Sequence, residues 1–202
     1  MKNRTARDII QNMKSQNVRV GYVEVTEKNI MLATGIQMTL FPKSCGYLSF
    51  KKAYEKGDPY FLVYYGGVPI GTTGIYEDAK ITPPDTAWLG WYGILPEYRG
   101  KGLGKQVLAD TIAEAARRGY STFRLYTSAI SCAVACKLYD KLMDVGEFYT
   151  AEEPELMRKV YSKSLDGRPV EKWNGRNLKL GENRDEEGRA LEIYLSRLNG
   201  GK

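Results

Sequence analysis

The stretch Arg99-Gly-Lys-Gly-Leu-Gly-Lys105 is the part of this sequence that decides the predicted fold. It follows an apolar run over residues 88–95 and precedes a long amphipathic segment that starts near Gly102. This order predicts a strand, a glycine-rich loop and a helix. Three glycines at alternate positions allow a tight turn and bring backbone N–H groups close to a ligand, while the helix dipole and the flanking cations favour an anion. The stretch therefore predicts an anion-binding loop, and we favour a pyrophosphate as the anion.

Spacing excludes two familiar pyrophosphate loops. A P-loop needs a glycine five residues before the Gly-Lys pair at 104–105 and Ser or Thr after it, whereas the chain has Arg99 and Gln106. A dinucleotide fingerprint needs G-x-G-x-x-G, whereas the three glycines here form G-x-G-x-G. Neither the Walker motif nor the Rossmann fingerprint accounts for this loop.

What remains is the pattern (Arg/Gln)-x-x-Gly-x-(Gly/Ala), which Arg99, Gly102 and Gly104 satisfy directly after the predicted strand. In this pattern the sequence resembles the GNAT family of acetyl-CoA-dependent N-acyltransferases. The resemblance covers roughly residues 18 to 165.

A second motif follows downstream in the order that this family shows. The family's helix Asn-x-x-Ala-x-x-Leu-Tyr-x-Lys is matched at four positions, namely Ala135, Leu138, Tyr139 and Lys141. The sequence departs from the motif at Cys132, where Asn is usual, and at 146–148, where Gly-Glu-Phe replaces Gly-Phe. Two motifs in the right order make the resemblance more specific than a glycine loop alone.

The resemblance implies an α/β fold in which helices flank a mixed central sheet of about seven strands. Hydrophobic patterns predict a first strand over 18–25, with Gly21 interpreted as a bulge, and two helices within 27–56 that are separated at Phe41-Pro42. A hairpin joined by Gly66-Gly67, a strand over 87–94 and the loop helix follow. A strand over 122–127, the Tyr139 helix and a hairpin of 147–149 with 157–165 complete the core, in the order β, αα, βββ, α, β, α, ββ.

Length and composition divide the chain into one domain and two additions. A chain of 202 residues with 43% hydrophobic residues can bury a sizeable core. We predict an N-terminal helical extension over 1–17, an acetyltransferase domain over 18–165, and a C-terminal extension over 166–202. That extension is expected to add a strand within 170–180 and an amphipathic helix from 183. It could pack on the core or on a second subunit, and in the second case the protein would be a homodimer.

Composition also limits the cellular compartment, the metal sites and the binding partners that can be expected. No apolar run approaches the roughly 20 residues of a membrane span, and no apolar signal region follows the N-terminus, so we expect a cytoplasmic protein without a membrane partner. Three cysteines at 45, 132 and 136 and no histidine leave neither a disulfide framework nor a zinc site. The net charge is +6, but 30 basic residues are interleaved with 24 acidic ones, which favours a mildly basic enzyme over a nucleic-acid-binding protein.

The resemblance assigns acetyl-CoA as the cofactor and names the residues that would bind it. Backbone N–H groups of the loop would hold the pyrophosphate, and the strand end would pair with the pantetheine arm and direct an N–H at the thioester carbonyl to stabilise an oxyanion. Cys132 is a weaker hydrogen-bonding group than the usual Asn at that position. The implied cofactor-binding set is Ile94, Leu95, Arg99, Gly100, Lys101, Gly102, Leu103, Gly104, Lys105 and Cys132.

The same resemblance makes Tyr139 the general acid that protonates the departing thiolate, although its helical spacing alone would equally suit a core aromatic. The incoming amine also needs a base or a water chain to lose its proton. Family members often place Glu on the fourth strand, where this chain has no carboxylate. Glu77 and Asp85 are the nearest carboxylates at the strand ends and are our candidates, with Asp78 beside them.

The predicted reaction is direct attack of a primary amine on acetyl-CoA in a ternary complex, with a small molecule or a peptide as acceptor. The alternative is a non-catalytic acyl-CoA-binding or sensor module on the same fold, which the missing carboxylate and Cys132 keep open. Three aromatic residues could line an acceptor pocket or pack in the core: Trp88, Trp91 and Tyr92.

Overall fold

The computed structural model describes residues 19–42, 47–77, 85–128, 132–149, 158–171 and 178–179. The predicted N-terminal helix, Cys45, Asp78 and the predicted C-terminal amphipathic helix lie outside these described residues. No helix in the described ranges is long and apolar enough to cross a membrane.

The element order matches the prediction. The described elements are β1 Val20–Glu24, α1 Ile30–Leu40, α2 Tyr47–Lys56, β2 Tyr60–Tyr65, β3 Val68–Tyr76, β4 Thr86–Ile94, a 3-10 turn Pro96–Tyr98, α3 Leu103–Arg117, β5 Thr122–Ser128, α4 Ala133–Leu142, β6 Val145–Tyr149, β7 Arg158–Ser164 and β8 Leu178–Lys179. The predicted order and the mixed α/β fold are confirmed. The two-residue β8 falls at the end of the range 170–180, where an additional strand was expected.

All of these strands belong to one mixed sheet. Its spatial order is β1-β2-β3-β4-β5-β7-β6-β8. The first four strands form an antiparallel meander, β5 lies parallel to β4, and β7 and β6 are antiparallel to their neighbours. The β2–β3 hairpin turns at Gly66 and Gly67, whose φ angles of 59° and 81° suit the left-handed turn that two-residue hairpins favour.

Helices cover both faces of this sheet, and three buried clusters form the core. α1 and α2 pack on one face through a cluster that includes Ile36, Phe50 and Leu62. α3 and α4 pack on the other face, where Leu108 and Tyr139 belong to one cluster. A third cluster on the α3 side joins the start of α3 to the end of β4. The amphipathic patterns in the sequence therefore correspond to helix faces that the sheet buries.

The predicted bulge at Gly21 is not found. β1 pairs with β2 without a register shift from Val20 to Glu24. Four of the five residues of β1 are exposed, so the alternation of apolar side chains is weakly constrained in this edge strand. A bulge instead interrupts the pairing of β3 with β4, where Trp91 and Tyr92 lie opposite the single residue Thr73.

The two parallel strands at the centre of the sheet separate along their length. β4 and β5 pair only from Thr86 to Trp88 on β4, opposite Thr122 to Arg124 on β5. Beyond Trp88 the remainder of β4 has no partner in β5. The end of β4 that leads into the glycine loop therefore borders a cleft in the sheet.

Candidate active site

The glycine loop begins α3 and leaves its first backbone N–H groups available. Gly100 and Gly102 have φ angles of 76° and 79°, which L residues with side chains rarely adopt. No side chain caps Gly102, and the first hydrogen bond of α3 runs from Gln106 N–H to the Gly102 carbonyl at 3.2 Å. The N–H groups of Leu103, Gly104 and Lys105 precede this bond and lack partners within the helix. Together with the helix dipole, such N–H groups can bind a phosphate.

The space in front of the loop is open, as a pyrophosphate would require. A Cβ built on Gly100 or Gly102 would meet no heavy atom within 4 Å. Leu103 is buried at 6% exposure in the cluster that includes Ile94, so its side chain anchors the loop. Lys101 lies over the Tyr98 ring at 5.3 Å, and its positive charge therefore stays beside the loop. These residues fit the diphosphate of an acyl-CoA.

Tyr92 connects β4 to the loop. Its hydroxyl donates a hydrogen bond to the Gly104 carbonyl at 2.8 Å. Gly104 lies close against this hydroxyl, since a Cβ at position 104 would approach the Tyr92 oxygen to 3.0 Å. Burial raises the pKa of Tyr92 above its ordinary value, so the phenol stays a hydrogen-bond donor. The first turn of α3 is therefore held to the strand that borders the cleft.

The strand end presents Ile94, rather than Leu95, on the cleft side. Leu95 N–H donates to the Ile70 carbonyl on β3 at 2.8 Å and so points away from β5. Backbone groups alternate in direction along a strand, so those of Ile94 point to the other edge. There the Ile94 carbonyl accepts a hydrogen bond from Arg99 Nε at 2.8 Å. Arg99 thus joins the loop to the strand end through its side chain.

Tyr139 of α4 lies in the same region of the molecule. It is buried at 6% exposure, and its ring meets the Tyr161 ring edge-on, with 5.4 Å between the centroids. Burial is the main cause that raises its pKa above the ordinary value, and the neighbouring Tyr92, Cys132 and Cys136 add to the shift. Among the described residues no hydrogen bond to the Tyr139 hydroxyl is found, so its proton is not committed to an internal acceptor. Tyr92, which contacts the loop, packs against the same buried cluster as Tyr139.

Cys132 caps α4 close to Tyr139. Its backbone N–H donates to the Ser128 carbonyl at the end of β5, at 3.1 Å, which connects α4 to the second strand of the cleft. Burial raises the pKa of Cys136, one turn further along, so this thiol is held in its protonated form. Within the described residues no group of three or more His, Cys, Asp or Glu side chains is arranged to hold a metal ion.

The family model described as "Acetyltransferase (GNAT) family" matches residues 33–144. This match includes the strands of the cleft, the glycine loop and the Tyr139 helix. The chain belongs to the acetyltransferase (GNAT) family. The predicted family and the predicted class of enzyme, an acyltransferase, are confirmed by this match.

Solved structures share the GNAT fold with this enzyme. The ribosomal-protein-S18-alanine N-acetyltransferase from Escherichia coli is 16% identical at a TM-score of 0.59, over 77% of this chain and 99% of that chain. The putative acetyltransferase yncA from Salmonella typhimurium, with its cofactor acetyl-CoA, is 17% identical. Its TM-score is 0.57, and the match covers 76% of this chain and 98% of that chain. Arabidopsis thaliana Naa50 in complex with the bisubstrate analogue CoA-Ac-MVNAL is 21% identical. Its TM-score is 0.56, and the match covers 73% of this chain and 99% of that chain. Comparison with curated proteins found no match.

The two candidate bases lie at the end of β4 opposite the GNAT loop. Asp85 directly precedes β4, and Glu77 directly follows β3, whose Tyr76 pairs with Trp88 near the start of β4. β4 spans nine residues. At about 3.3 Å per residue, its two ends are roughly 25 Å apart. Glu77 and Asp85 are therefore brought to one end of β4, away from the loop at its other end.

Both carboxylates have local partners at that end of the sheet. Glu77 accepts a hydrogen bond from the Tyr120 hydroxyl at 2.6 Å, and burial followed by this bond raises the pKa of Tyr120 to about 12. Asp85 accepts a hydrogen bond from the Ser121 hydroxyl, and its backbone carbonyl accepts one from Ser121 N–H at 2.9 Å. These contacts hold the end of β3 and the start of β4 against the residues that lead into β5.

The three aromatic residues on β4 have different surroundings. Trp88 is a core residue at 1% exposure and lies between Tyr76 and Tyr126. The Trp91 ring stacks on Phe50 of α2, with 4.7 Å between the centroids. The sequence patterns did not distinguish between a core position and a pocket position for these residues. They also did not predict the contact of Tyr92 with the loop. No local signal could have found it, because the hydrogen bond depends on how β4 is set against α3.

Proposed function

We propose that this GNAT enzyme transfers the acetyl group of acetyl-CoA to a primary amine, which attacks directly while both substrates are bound. The observation that carries the proposal is the convergence of the loop and Tyr139. Tyr92 hydrogen-bonds to Gly104 at the start of α3 and packs against the buried cluster that contains Tyr139, at the cleft where β4 separates from β5. A phosphate-binding helix end and an uncommitted acid beside one cleft suit an acyl-CoA thioester.

Acetyl-CoA is the acetyl donor, which agrees with the family and with the ligands named for two of its structural neighbours. Backbone N–H groups of residues 103–105 would hold the diphosphate, with Lys101 and Lys105 as flanking charges. The unpaired edge of β4 would bind the pantetheine arm by strand-like hydrogen bonds. The thioester supplies the activated acetyl group when the cofactor is bound.

Ile94 and Tyr139 are the residues to which we assign the chemistry. Ile94 N–H would donate a hydrogen bond to the acetyl oxygen as negative charge develops there. Tyr139 would give its proton to the departing sulfur as the carbon–sulfur bond breaks and the carbon–nitrogen bond forms. Its raised pKa keeps this proton in place over the whole range near neutral pH. Cys132 would line the arm as a small side chain at the start of α4.

The proton of the incoming ammonium is assigned to bound water rather than to Glu77 or Asp85. The distance between the two ends of β4 and the local hydrogen bonds of both carboxylates support this choice. A water chain through the cleft would carry the proton to solvent without a side-chain base.

For the acceptor we propose a small-molecule or peptide amine. One structural neighbour is named for acetylating the alanine of a ribosomal protein, and another binds an analogue that joins CoA to a short peptide. We further propose a cytoplasmic enzyme with residues 18–165 as its catalytic domain, the remainder as extensions, and no nucleic-acid partner.

Turnover of acetyl-CoA with a panel of amines tests the proposal. The panel contains amino acids, a polyamine, an aminoglycoside and peptides with free N-termini, and the readouts are release of the CoA thiol and the mass of the product. We expect one class of amine to be acetylated in a Tyr139-dependent manner. CoA binding by calorimetry without acetylation of any amine would instead support the non-catalytic acyl-CoA-binding module.

A further inference from the structure

The bulge in β4 contains a residue with a strained backbone conformation. Trp91 has a φ angle of 56° and is the one non-glycine residue with positive φ among the described residues. A bulky residue in this conformation is strained, and the conformation persists only where the surroundings enforce it. Something in the neighbouring elements must therefore hold Trp91.

Two side chains hold the Trp91 carbonyl. Gln37 Nε2 donates a hydrogen bond to it at 2.6 Å, and Thr72 Oγ1 donates another at 2.6 Å. Gln37 and Thr72 also contact each other. Gln37 lies on α1 and Thr72 on β3, so one carbonyl of β4 is fastened to two other elements.

Both side chains are buried, and the polar side chain of Gln37 reduces the stability of the fold. Gln37 and Thr72 are each 1% exposed. Gln37 Oε1 is buried and has no hydrogen-bond partner among the described residues. An unpaired buried amide oxygen destabilises the fold, and a methionine of similar shape would avoid this loss. The donor on Nε2 is what an apolar residue could not supply at this position.

The bulge decides which way the end of β4 faces. Before it, Ala87 and Leu89 pack toward α3 and α4, and after it Tyr92 and Ile94 do so. A strand without the extra residue would turn position 91 instead of position 92 toward α3. Tyr92 would then no longer reach the Gly104 carbonyl.

The extra residue of the bulge also sets the direction of the backbone groups that line the cleft. Because backbone N–H groups alternate along a strand, removing one residue from the bulge reverses the edge to which Ile94 N–H points. That N–H is the one to which we assign the acetyl oxygen. The bulge thus controls both the contact to the glycine loop and the predicted oxyanion donor.

We propose that Gln37 and Thr72 are positioning residues for acetyl transfer: by holding the left-handed Trp91 they direct Tyr92 at the CoA loop and Ile94 N–H into the cleft. This role rests on the proposed function, because it matters only if the cleft binds an acyl-CoA. Neither residue belongs to the glycine loop or the tyrosine helix that carry the family resemblance.

The test compares Thr72→Val and the double variant Gln37→Met/Thr72→Val with two controls. Thr72→Ser keeps the hydroxyl. Thr34→Val is the matched control, because Thr34 is also a buried threonine, on α1, whose hydroxyl donates within its own helix, to the Ile30 carbonyl at 2.8 Å. It removes one buried hydrogen bond while leaving the bulge intact.

Three readouts are measured well below the melting temperature of each variant. In the protein without ligand, a strong intraresidue HN–Hα cross-peak of Trp91 in NMR spectra marks positive φ. Calorimetry gives the Kd of CoA, and steady-state kinetics give kcat and KM with the best amine of the panel. The first two readouts do not require acetyl transfer, so an enzyme that acetylates no amine would contradict the proposed function while leaving the role of the bulge testable.

We expect the double variant to lose the strong Trp91 cross-peak, to bind CoA more weakly and to lose roughly 10- to 100-fold in kcat, since a misplacement of about 1 Å at a reacting centre has effects of this size. Thr72→Ser and Thr34→Val should match the wild type in all three readouts. Retention of the Trp91 cross-peak with wild-type CoA affinity in the double variant would overturn the proposal. If the double variant does not fold, Thr72→Val alone decides, and a loss of kcat no larger than that of Thr34→Val is the overturning result.

Discussion

At the scale of single residues, the proposed site depends on two positions whose side chains are constrained for different reasons. Gly102 has a φ of 79° and open space before it, where we propose that the phosphate binds. Tyr139 is a buried phenol whose pKa is raised, and in the proposed reaction it gives its proton to the departing sulfur. One position therefore contributes through its backbone and the other through a single hydroxyl.

Gly102→Val is expected to abolish CoA binding. The new side chain strains the left-handed backbone and stands where the diphosphate meets the first N–H groups of α3. Calorimetry with CoA measures the effect. Gly57→Val is the matched control, because Gly57 has a φ of 82° and equally open surroundings but lies between α2 and β2. Wild-type CoA affinity in folded Gly102→Val would remove the loop from the proposed site.

Tyr139→Phe is expected to lower kcat by roughly 10- to 1,000-fold, because the departing thiolate loses its proton donor and water replaces it only in part. The Kd of CoA and the melting temperature should stay close to the wild type, since the ring and its contact with Tyr161 are retained. Steady-state kinetics and thermal melting are measured on the same preparation.

Tyr161→Phe provides the control for this change. The Tyr161 hydroxyl donates to Asp140 at 2.8 Å, so its loss should reduce stability by about 1 kcal/mol and leave kcat intact. An unchanged kcat in Tyr139→Phe, or an equal loss of kcat in both variants, would mean that Tyr139 is a core aromatic.

At the scale of elements, β4 has two ends with separate tasks. Its start pairs with β5 and carries the hydrogen bonds of Asp85, while its end has left β5 and leads into the glycine loop. We propose that acetyl transfer takes place at the end that is free on one edge, because unpaired backbone groups can bind a ligand in place of a strand. In this proposal the carboxylates at the paired end stabilise the sheet and take no part in the reaction.

Glu77→Gln and Asp85→Asn are accordingly expected to leave the acidic limb of the pH profile of kcat/KM unchanged. Both residues are exposed and engaged with the residues that precede β5, so any effect should appear as a small loss of stability. The profile is measured for each variant and for the double variant. A flattened acidic limb in either single variant would return the role of general base to that carboxylate.

At the scale of the whole molecule, the site joins three elements that are far apart in the chain. The loop begins α3, Tyr139 lies on α4, and Gln37 reaches β4 from α1 on the opposite face of the sheet. CoA would contact the helix start and both strands of the cleft, so its binding energy should oppose separation of the two halves of the sheet.

Saturating CoA is therefore expected to stabilise the entire fold. At about 100 times its Kd a ligand adds roughly 2.7 kcal/mol to the free energy of unfolding. For a chain of this size that corresponds to a rise in melting temperature of roughly 5–10 °C. Differential scanning fluorimetry with and without CoA measures the rise, and Gly102→Val should lack it while Gly57→Val retains it. A single transition that does not move with CoA would argue against a site built from both halves.

Several features were predictable from the sequence because their causes are local. The glycine spacing, the strand before it and the amphipathic helix after it follow from backbone freedom and hydrophobic periodicity. The Gly66-Gly67 hairpin and the two helices before it were correct for the same reason. The bulge assigned to Gly21 was wrong, because an exposed edge strand tolerates a broken alternation without changing its register.

By itself, the sequence determined the order of elements, the glycine loop before α3 and the helix that carries Tyr139, because each depends on residues within a few turns of one another. Only the tertiary structure decided where β4 bulges, since a tryptophan takes a left-handed conformation here through hydrogen bonds from Gln37, 54 positions earlier, and from Thr72, 19 positions earlier. It also decided that Tyr92 meets Gly104 and that Glu77 and Asp85 lie at the far end of β4. Contacts between residues so distant in sequence depend on how strands and helices are packed, which no local pattern of residues encodes.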